Sequence, residues 1–201
     1  MNMKKMMMIA VLILTAWMPG HAQSQGDRLD FTHNRITIGG GAAYTSTRIP
    51  KDYYQRHAKG SSSLELSLDY AHLWDLAEHH ALGFEINGYQ SHLDKNGCNI
   101  FYGGTSVVYN FRTDNGWVFS ASEGMGYAGN DFDEGLHDKW DEGGIGVYSK
   151  IGAHYKLTKH LGIGAEARLL GSFFRVQYDD GGDEVKEIVQ SGISAQLRWY
   201  F

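Results

Sequence analysis

Residues Val189 to Phe201 read VQSGISAQLRWYF. Counting back from the end by twos collects Phe201, Trp199, Leu197, Ala195, Ile193, Ser191 and Val189, while the offset set is Tyr200, Arg198, Gln196, Ser194, Gly192 and Gln190. The first set is mostly apolar and the second mostly polar. Successive side chains of a strand point to opposite faces, so this stretch is a strand between one greasy and one wet environment. About 13 residues is long for a strand in a soluble sheet, but it suits a tilted strand through a bilayer core, which takes roughly 9 to 11.

The same alternation recurs upstream. Leu64 to Trp74 is the cleanest case, setting Leu64, Leu66, Leu68, Tyr70, His72 and Trp74 against Glu65, Ser67, Asp69 and Ala71. Further strands are predicted at Arg35–Thr47, Ala81–Ser91, Asn99–Phe111, Trp117–Ala128, Gly144–Leu157 and Leu161–Phe173, which with the terminal one makes eight. Trp117–Ala128 breaks the pattern, because Glu123 shares a face with Trp117, Phe119, Met125 and Tyr127. A carboxylate toward lipid is costly, so a bulge at Ser122–Gly124 is expected to turn it inward.

Long and short connections alternate along the chain. Asp75–His80, Asn115-Gly116 and Thr158–His160 are tight, the Asn-Gly pair because both residue types tolerate positive φ. Arg48–Ser63, Gly129–Gly143 and Phe174–Ile188 are long, the last two acidic, and His92–Cys98 is moderate. An even strand count puts every tight turn at the end where both termini lie. Trp74, Tyr109, Phe111, Trp117, Tyr155, Trp199 and Phe201 then form an aromatic girdle at that end, and Tyr44, Phe101, Tyr127 and Phe173 one at the other.

Ahead of the strands, Lys4 and Lys5, an apolar run from Met6 to Met18 and then Pro19-Gly20-His21-Ala22 read as a secretory signal peptide cut after Ala22. Residues 1–22 are therefore the leader and 23–201 one barrel domain. The apolar run is too short to span a membrane as a helix, and no second one follows. Cleavage leaves 16 basic against 23 acidic residues, a formal charge of −7, which disfavours nucleic acid as a partner. Cys98 is the only cysteine, so no intrachain disulfide can form.

In its terminal strand ending on Phe201, with Trp199 two residues before it, and in its eight alternating segments, the chain resembles the small eight-stranded outer-membrane β-barrels of the OmpA/OmpX kind. The resemblance implies an all-β, antiparallel, up-and-down transmembrane barrel in the outer membrane of a Gram-negative bacterium. It also implies that Trp199 and Phe201 belong to the signal read by the barrel-assembly machinery. Outer-membrane lipids and lipopolysaccharide are the expected surroundings; the resemblance names no extracellular ligand.

The offset faces gather Arg35, Glu65, Asp69, Glu85, Lys150, Glu166, Arg168 and Arg198, with Lys156, Tyr89, Tyr102, Tyr148, Asn87 and His154. An eight-stranded barrel is just wide enough for its side chains to fill, so the predicted interior is a packed lumenal ion-pair network. A soluble barrel of lipocalin type would reverse this polarity.

No cofactor, catalytic set or metal site is expected. The acidic loops lack the spacing of a calcium loop, and His79-His80 point apart on an extended chain. Arg48, Lys51, Arg56 and Lys59 offer contacts to lipopolysaccharide phosphates, ordinary surface charge being the equal alternative. Ser91-His92 is the one nucleophile-and-base pair near the long-loop end, but adjacent strand residues face opposite ways. The favoured reading is a non-enzymatic barrel with a structural or surface-interaction role through its outer loops. A narrow porin-like conduit and a lipid A-modifying enzyme are its rivals.

Overall fold

The computed structural model describes residues 33–48, 61–93, 98–131, 139–140, 143–177 and 183–201. The predicted leader, residues 1–22, and Lys51, Arg56 and Lys59 lie outside them. Among the described residues nine strands follow one another: β1 (Asn34–Arg48), β2 (Ser61–Ala77), β3 (His80–Leu93), β4 (Cys98–Arg112), β5 (Trp117–Asp131), β6 (Lys139–Trp140), β7 (Gly143–Lys156), β8 (Leu161–Gln177) and β9 (Asp183–Tyr200). Eight are long and pair antiparallel with their neighbours, and β1 pairs with β9 to close the ring. The ninth, β6, is a two-residue addition to the tip of β8, pairing Lys139 with Gln177 and Trp140 with Val176.

The ring closes with a fixed stagger. Following partners from Ile36 through Tyr70, Ile86, Thr105, Met125, Val147, Gly171 and Val189 returns to β1 at Ser46, ten residues beyond the start. A shear of ten over eight strands requires the strands to tilt, by roughly 35–45° in barrels of this type. Closure gives each long strand two hydrogen-bonded neighbours, so along the ring of eight long strands no open seam is left.

Alternation settles which side each residue takes. Leu66, Ile86 and Ile193 point outward with 67%, 60% and 69% exposure, whereas Arg35, Lys156 and Glu85 point inward with 0%, 0% and 1%. Apolar outside and charged inside is the polarity of a barrel surrounded by lipid, opposite to that of a soluble one. The aromatic residues Trp74, Trp117, Trp199, Tyr109, Phe111 and Phe201 are exposed at the tight-turn end, and Tyr44, Phe101, Tyr127 and Phe173 at the other.

Three local expectations are corrected. β5 pairs with β4 and β7 in unbroken register from Trp117 onward, so there is no bulge at Ser122–Gly124. Glu123 faces outward and accepts a hydrogen bond from Ser149 Oγ at 2.5 Å. The cross-strand hydroxyl meets part of the carboxylate's hydrogen-bonding need, while a bulge would have cost ladder bonds on both sides. Next, Phe174–Ile188 is mostly strand: β8 runs on to Gln177 and β9 starts at Asp183, in register from Phe173 paired with Glu187 to Gln177 paired with Asp183. Its acidic residues suggested a loop, but their partners lie directly across the ladder.

Finally, the β4–β5 turn has three residues, Asp114, Asn115 and Gly116, and only Gly116 has positive φ, at 91°. The Gly116 amide donates to the Thr113 carbonyl at 3.1 Å, and the Thr113 amide donates to the Trp117 carbonyl at 2.9 Å. That is a turn closed by a glycine bulge, in which one left-handed residue suffices. A register irregularity also occurs where β2 ends, between Asp75 and Ala77.

Candidate functional site

The lumen is the chemically distinctive part of the molecule, and it is layered. At the tight-turn end, the inward positions of β2, β3 and β4 carry Ala71, Leu73, Ala81 and Val108, a buried apolar cluster. Beside it Arg112 Nη1 meets Asp75 Oδ1 at 2.5 Å, with Asp75 about half exposed.

The ionic layer comes next. Arg35 Nη2 contacts Glu85 Oε2 at 2.8 Å, and Arg35 Nη1 donates to Asn110 Oδ1 at 3.2 Å. Lys150 Nζ reaches Glu85 Oε1 at 2.6 Å, Asp69 Oδ2 at 2.7 Å and Glu166 Oε2 at 3.6 Å. Asn87 donates to Asp69 Oδ1 at 3.2 Å and Glu85 Oε1 at 2.6 Å, and accepts from Ser106 Oγ at 2.8 Å. Five strands, β1 to β4 and β7, thus converge on Glu85 and Asp69, and Lys150 is the cation that ties these two acids to each other and to Glu166 on β8.

A second, separate pair lies above. Arg168 Nη2 bonds Glu65 Oε2, and its guanidinium sits 3.8 Å from the centre of the Tyr89 ring. Tyr102 and Tyr148 stack at 5.0 Å beside it. Gln190 accepts from Tyr89 Oη and donates to Thr45 Oγ1 at 2.7 Å and Ser91 Oγ at 2.8 Å. At the long-loop end a larger apolar cluster closes the lumen, with Ile100, Leu170, Phe174 and Ile188 packed on Tyr89, Tyr102, Ala128 and Tyr148.

All eight residues expected in the network are buried, but the structure does not join them into one. Arg35, Glu85, Lys150, Asp69 and Glu166 form one group and Arg168 with Glu65 another. Arg198 belongs to neither: among the described residues it has no carboxylate within salt-bridge distance and donates to Ser120 Oγ at 3.1 Å. Lys156 instead lies 5.0 Å over the Tyr200 ring. Trp199 is exposed at the rim and Phe201 follows the last paired residue, its amide donating to the Asn34 carbonyl at 3.1 Å.

Reasoning from charge patterns missed the two apolar seals. Their signal was an apolar residue at an inward position of its own strand, as with Val108 and Leu170. Phe174 and Ile188 carried no such signal while they were assigned to a loop. Ser91 and His92 do not meet: Ser91 is buried against Gln190 and His92 is exposed on the opposite face. Among the described residues no three His, Cys, Asp or Glu side chains are placed to hold a metal ion.

No protein-family model matches the chain, and no curated protein matches it. Solved structures do. Neisserial surface protein A superimposes with a TM-score of 0.60 at 14% identity, covering 85% of this chain and 98% of that one. The outer membrane protein OprG from Pseudomonas aeruginosa does so with a TM-score of 0.51 at 13% identity, covering 86% and 98%. At these identities the likeness concerns the fold: an eight-stranded up-and-down barrel of the kind found in outer membranes.

Proposed function

We propose that this protein is a non-enzymatic barrel of a Gram-negative outer membrane, exported through its leader, and that it acts through the connections at its long-loop end. The observation that carries this reading is the closed lumen. Charged side chains fill the middle, an apolar cluster drawn from six strands packs across the long-loop end and a smaller one lies on the β2–β4 side of the other, so this reading puts the wall and the two rims to work. Burying so many charges favours a rigid stave over a conduit, because each ion is committed to a partner or to a ring face.

In sequence, residues 49–60, 94–97, 132–142 and 178–182 connect the strand ends of the long-loop side, with Lys51, Arg56 and Lys59 in one connection and a run of acids in another. Opposite signs on different connections suit contact with lipopolysaccharide phosphates through one and with a basic or cation-bridged partner through another. Trp199 and Phe201, at the end of the strand that completes the ring, are the residues we assign to recognition by the assembly machinery.

Capture from intact envelopes tests the reading, using the full chain and a variant with residues 132–138 and 178–182 replaced by short Gly-Ser turns. A surface component held by the full chain and lost from the variant is the expected result. Steady single-channel conductance in planar bilayers would replace this reading with the conduit. A change in lipid A acylation on overexpression, seen by mass spectrometry, would replace it with the enzyme.

A further inference from the structure

Among the described residues, five histidines lie in the turns or outside the lumen at the tight-turn end, His33 ahead of β1, His72 on β2, His79 and His80 at the β2–β3 turn and His160 in the β7–β8 turn, while His154 on β7 is buried inside. They sit among the exposed Trp74, Tyr109, Phe111, Trp117 and Trp199, the level where a barrel meets phospholipid headgroups. His160 stacks on Trp199 at 5.9 Å, and His72 meets Trp74 edge-on at 4.7 Å.

Three of these rings share one hydrogen-bonding arrangement. His33 Nδ1 lies 2.9 Å from the Leu73 carbonyl, His160 Nδ1 2.9 Å from the Tyr200 carbonyl and His72 Nδ1 2.9 Å from Asn34 Oδ1. A carbonyl oxygen only accepts, so Nδ1 carries the proton in each ring, and in the neutral ring Nε2 is then a bare acceptor. Tyr70 Oη also donates to Asn34 Oδ1, at 2.8 Å.

We infer that His33, His72 and His160 form a collar that binds the phosphates of anionic phospholipids when protonated and releases them when neutral; this rests on the membrane reading above. A phosphate oxygen accepts and cannot donate. Against it a neutral Nδ1–H ring offers only a lone pair, so protonation at Nε2 supplies both the donor and the charge at once. Were the tautomers free, each neutral ring could turn Nε2–H toward lipid and the response to pH would be blunted.

Among the described residues, the charged side chains in the turns and on the outer face of this end are these. Asp75 is paired with Arg112, Asp114 faces His79 at 3.7 Å, and Glu78 and Lys159 are exposed in the turns. His79, with its own carboxylate, and His80, bonded at 2.5 Å to a Tyr109 hydroxyl that can either donate or accept, are left out of the collar.

Trp74, Trp117 and Trp199 report directly on the neighbouring lipid. Their fluorescence is to be quenched with brominated phosphatidylglycerol and brominated phosphatidylcholine, giving a relative affinity at pH 5.5 and pH 7.5. Preference for phosphatidylglycerol should rise on acidification, on the order of fivefold for each phosphate met by a charged ring. The rise should shrink in His33→Gln, His72→Gln and His160→Gln singly and vanish in the triple variant.

An equal preference at both pH values, or a rise that survives in the triple variant, overturns the inference. So does loss of the preference on adding millimolar inorganic phosphate, which marks a site for the free anion. Absence of quenching by either lipid overturns the membrane reading itself, whereas quenching without selectivity removes only the collar.

Discussion

Replacing Glu85 by Gln tests whether the lumen is held by charge or merely filled. Glu85 is 1% exposed and bridges two cations, Arg35 at 2.8 Å and Lys150 at 2.6 Å. The amide keeps the shape and removes the charge. Lys150 retains Asp69 at 2.7 Å, but Arg35, fully buried, is left with the neutral Asn110. Breaking a buried pair from one side typically costs about 3–5 kcal/mol, because the remaining ion has no route to water. Arg112→Gln is the matched control: the Arg112–Asp75 contact is shorter, at 2.5 Å, yet the ion left behind, Asp75, is 47% exposed. Solvent screening holds that loss to about 0–1 kcal/mol.

Urea unfolding in lipid vesicles, followed by tryptophan fluorescence and by the mobility of unheated samples in electrophoresis, measures both. A second step removes the stranded ion as well: Arg35→Met added to Glu85→Gln should recover part of the loss, since the buried charge is then gone. If contact distance alone governed stability, Arg112→Gln would be the worse variant. Equal losses, or a double variant weaker than the single one by the full additive amount, would refute the argument that desolvation sets the scale.

Other changes probe other layers. Phe174→Ala removes a fully buried ring from the upper seal and should cost about 3–5 kcal/mol of unfolding free energy. The same variant should admit water, measured as faster amide exchange of the inward-facing positions of β8. Glu123→Leu exchanges an outward carboxylate, midway along β5 between Phe119 and Tyr127, for an apolar side chain, and should raise stability in vesicles by less than about 2 kcal/mol; a loss would show that the Ser149 contact outweighs exposure to acyl chains. Gly116→Ala, at φ 91°, should lower stability by about 1 kcal/mol, read in the same urea titration.

Period two carried most of the architecture, because lipid on one side and charge on the other force adjacent residues apart in character. Leu64–Trp74 could scarcely be read otherwise, and its inward Glu65 and Asp69 lie where alternation puts them. Pairing was less legible. Nothing in the chain said that Arg198 would meet Ser120 rather than an acid, since partners around a ring are set by the stagger of ten residues and no single strand displays it. The ends of β8 and β9 were hidden for a different reason: beyond the membrane a hairpin no longer needs an apolar face, so Arg175, Glu184 and Lys186 conceal strands that ladder hydrogen bonds sustain. Glu123 misled because its cost in lipid was weighed without the hydroxyl across from it.

The seam between β1 and β9 couples the two ends of the chain. Fourteen registered partners, from Arg35 with Tyr200 to Arg48 with Glu187, join residues separated by most of the sequence. No shorter piece can complete the cylinder, and until the final residues are made both border strands keep unsatisfied amides and carbonyls, which hydrocarbon does not tolerate. A chain truncated before β9 is expected to stay outside the bilayer as an adhesive open sheet.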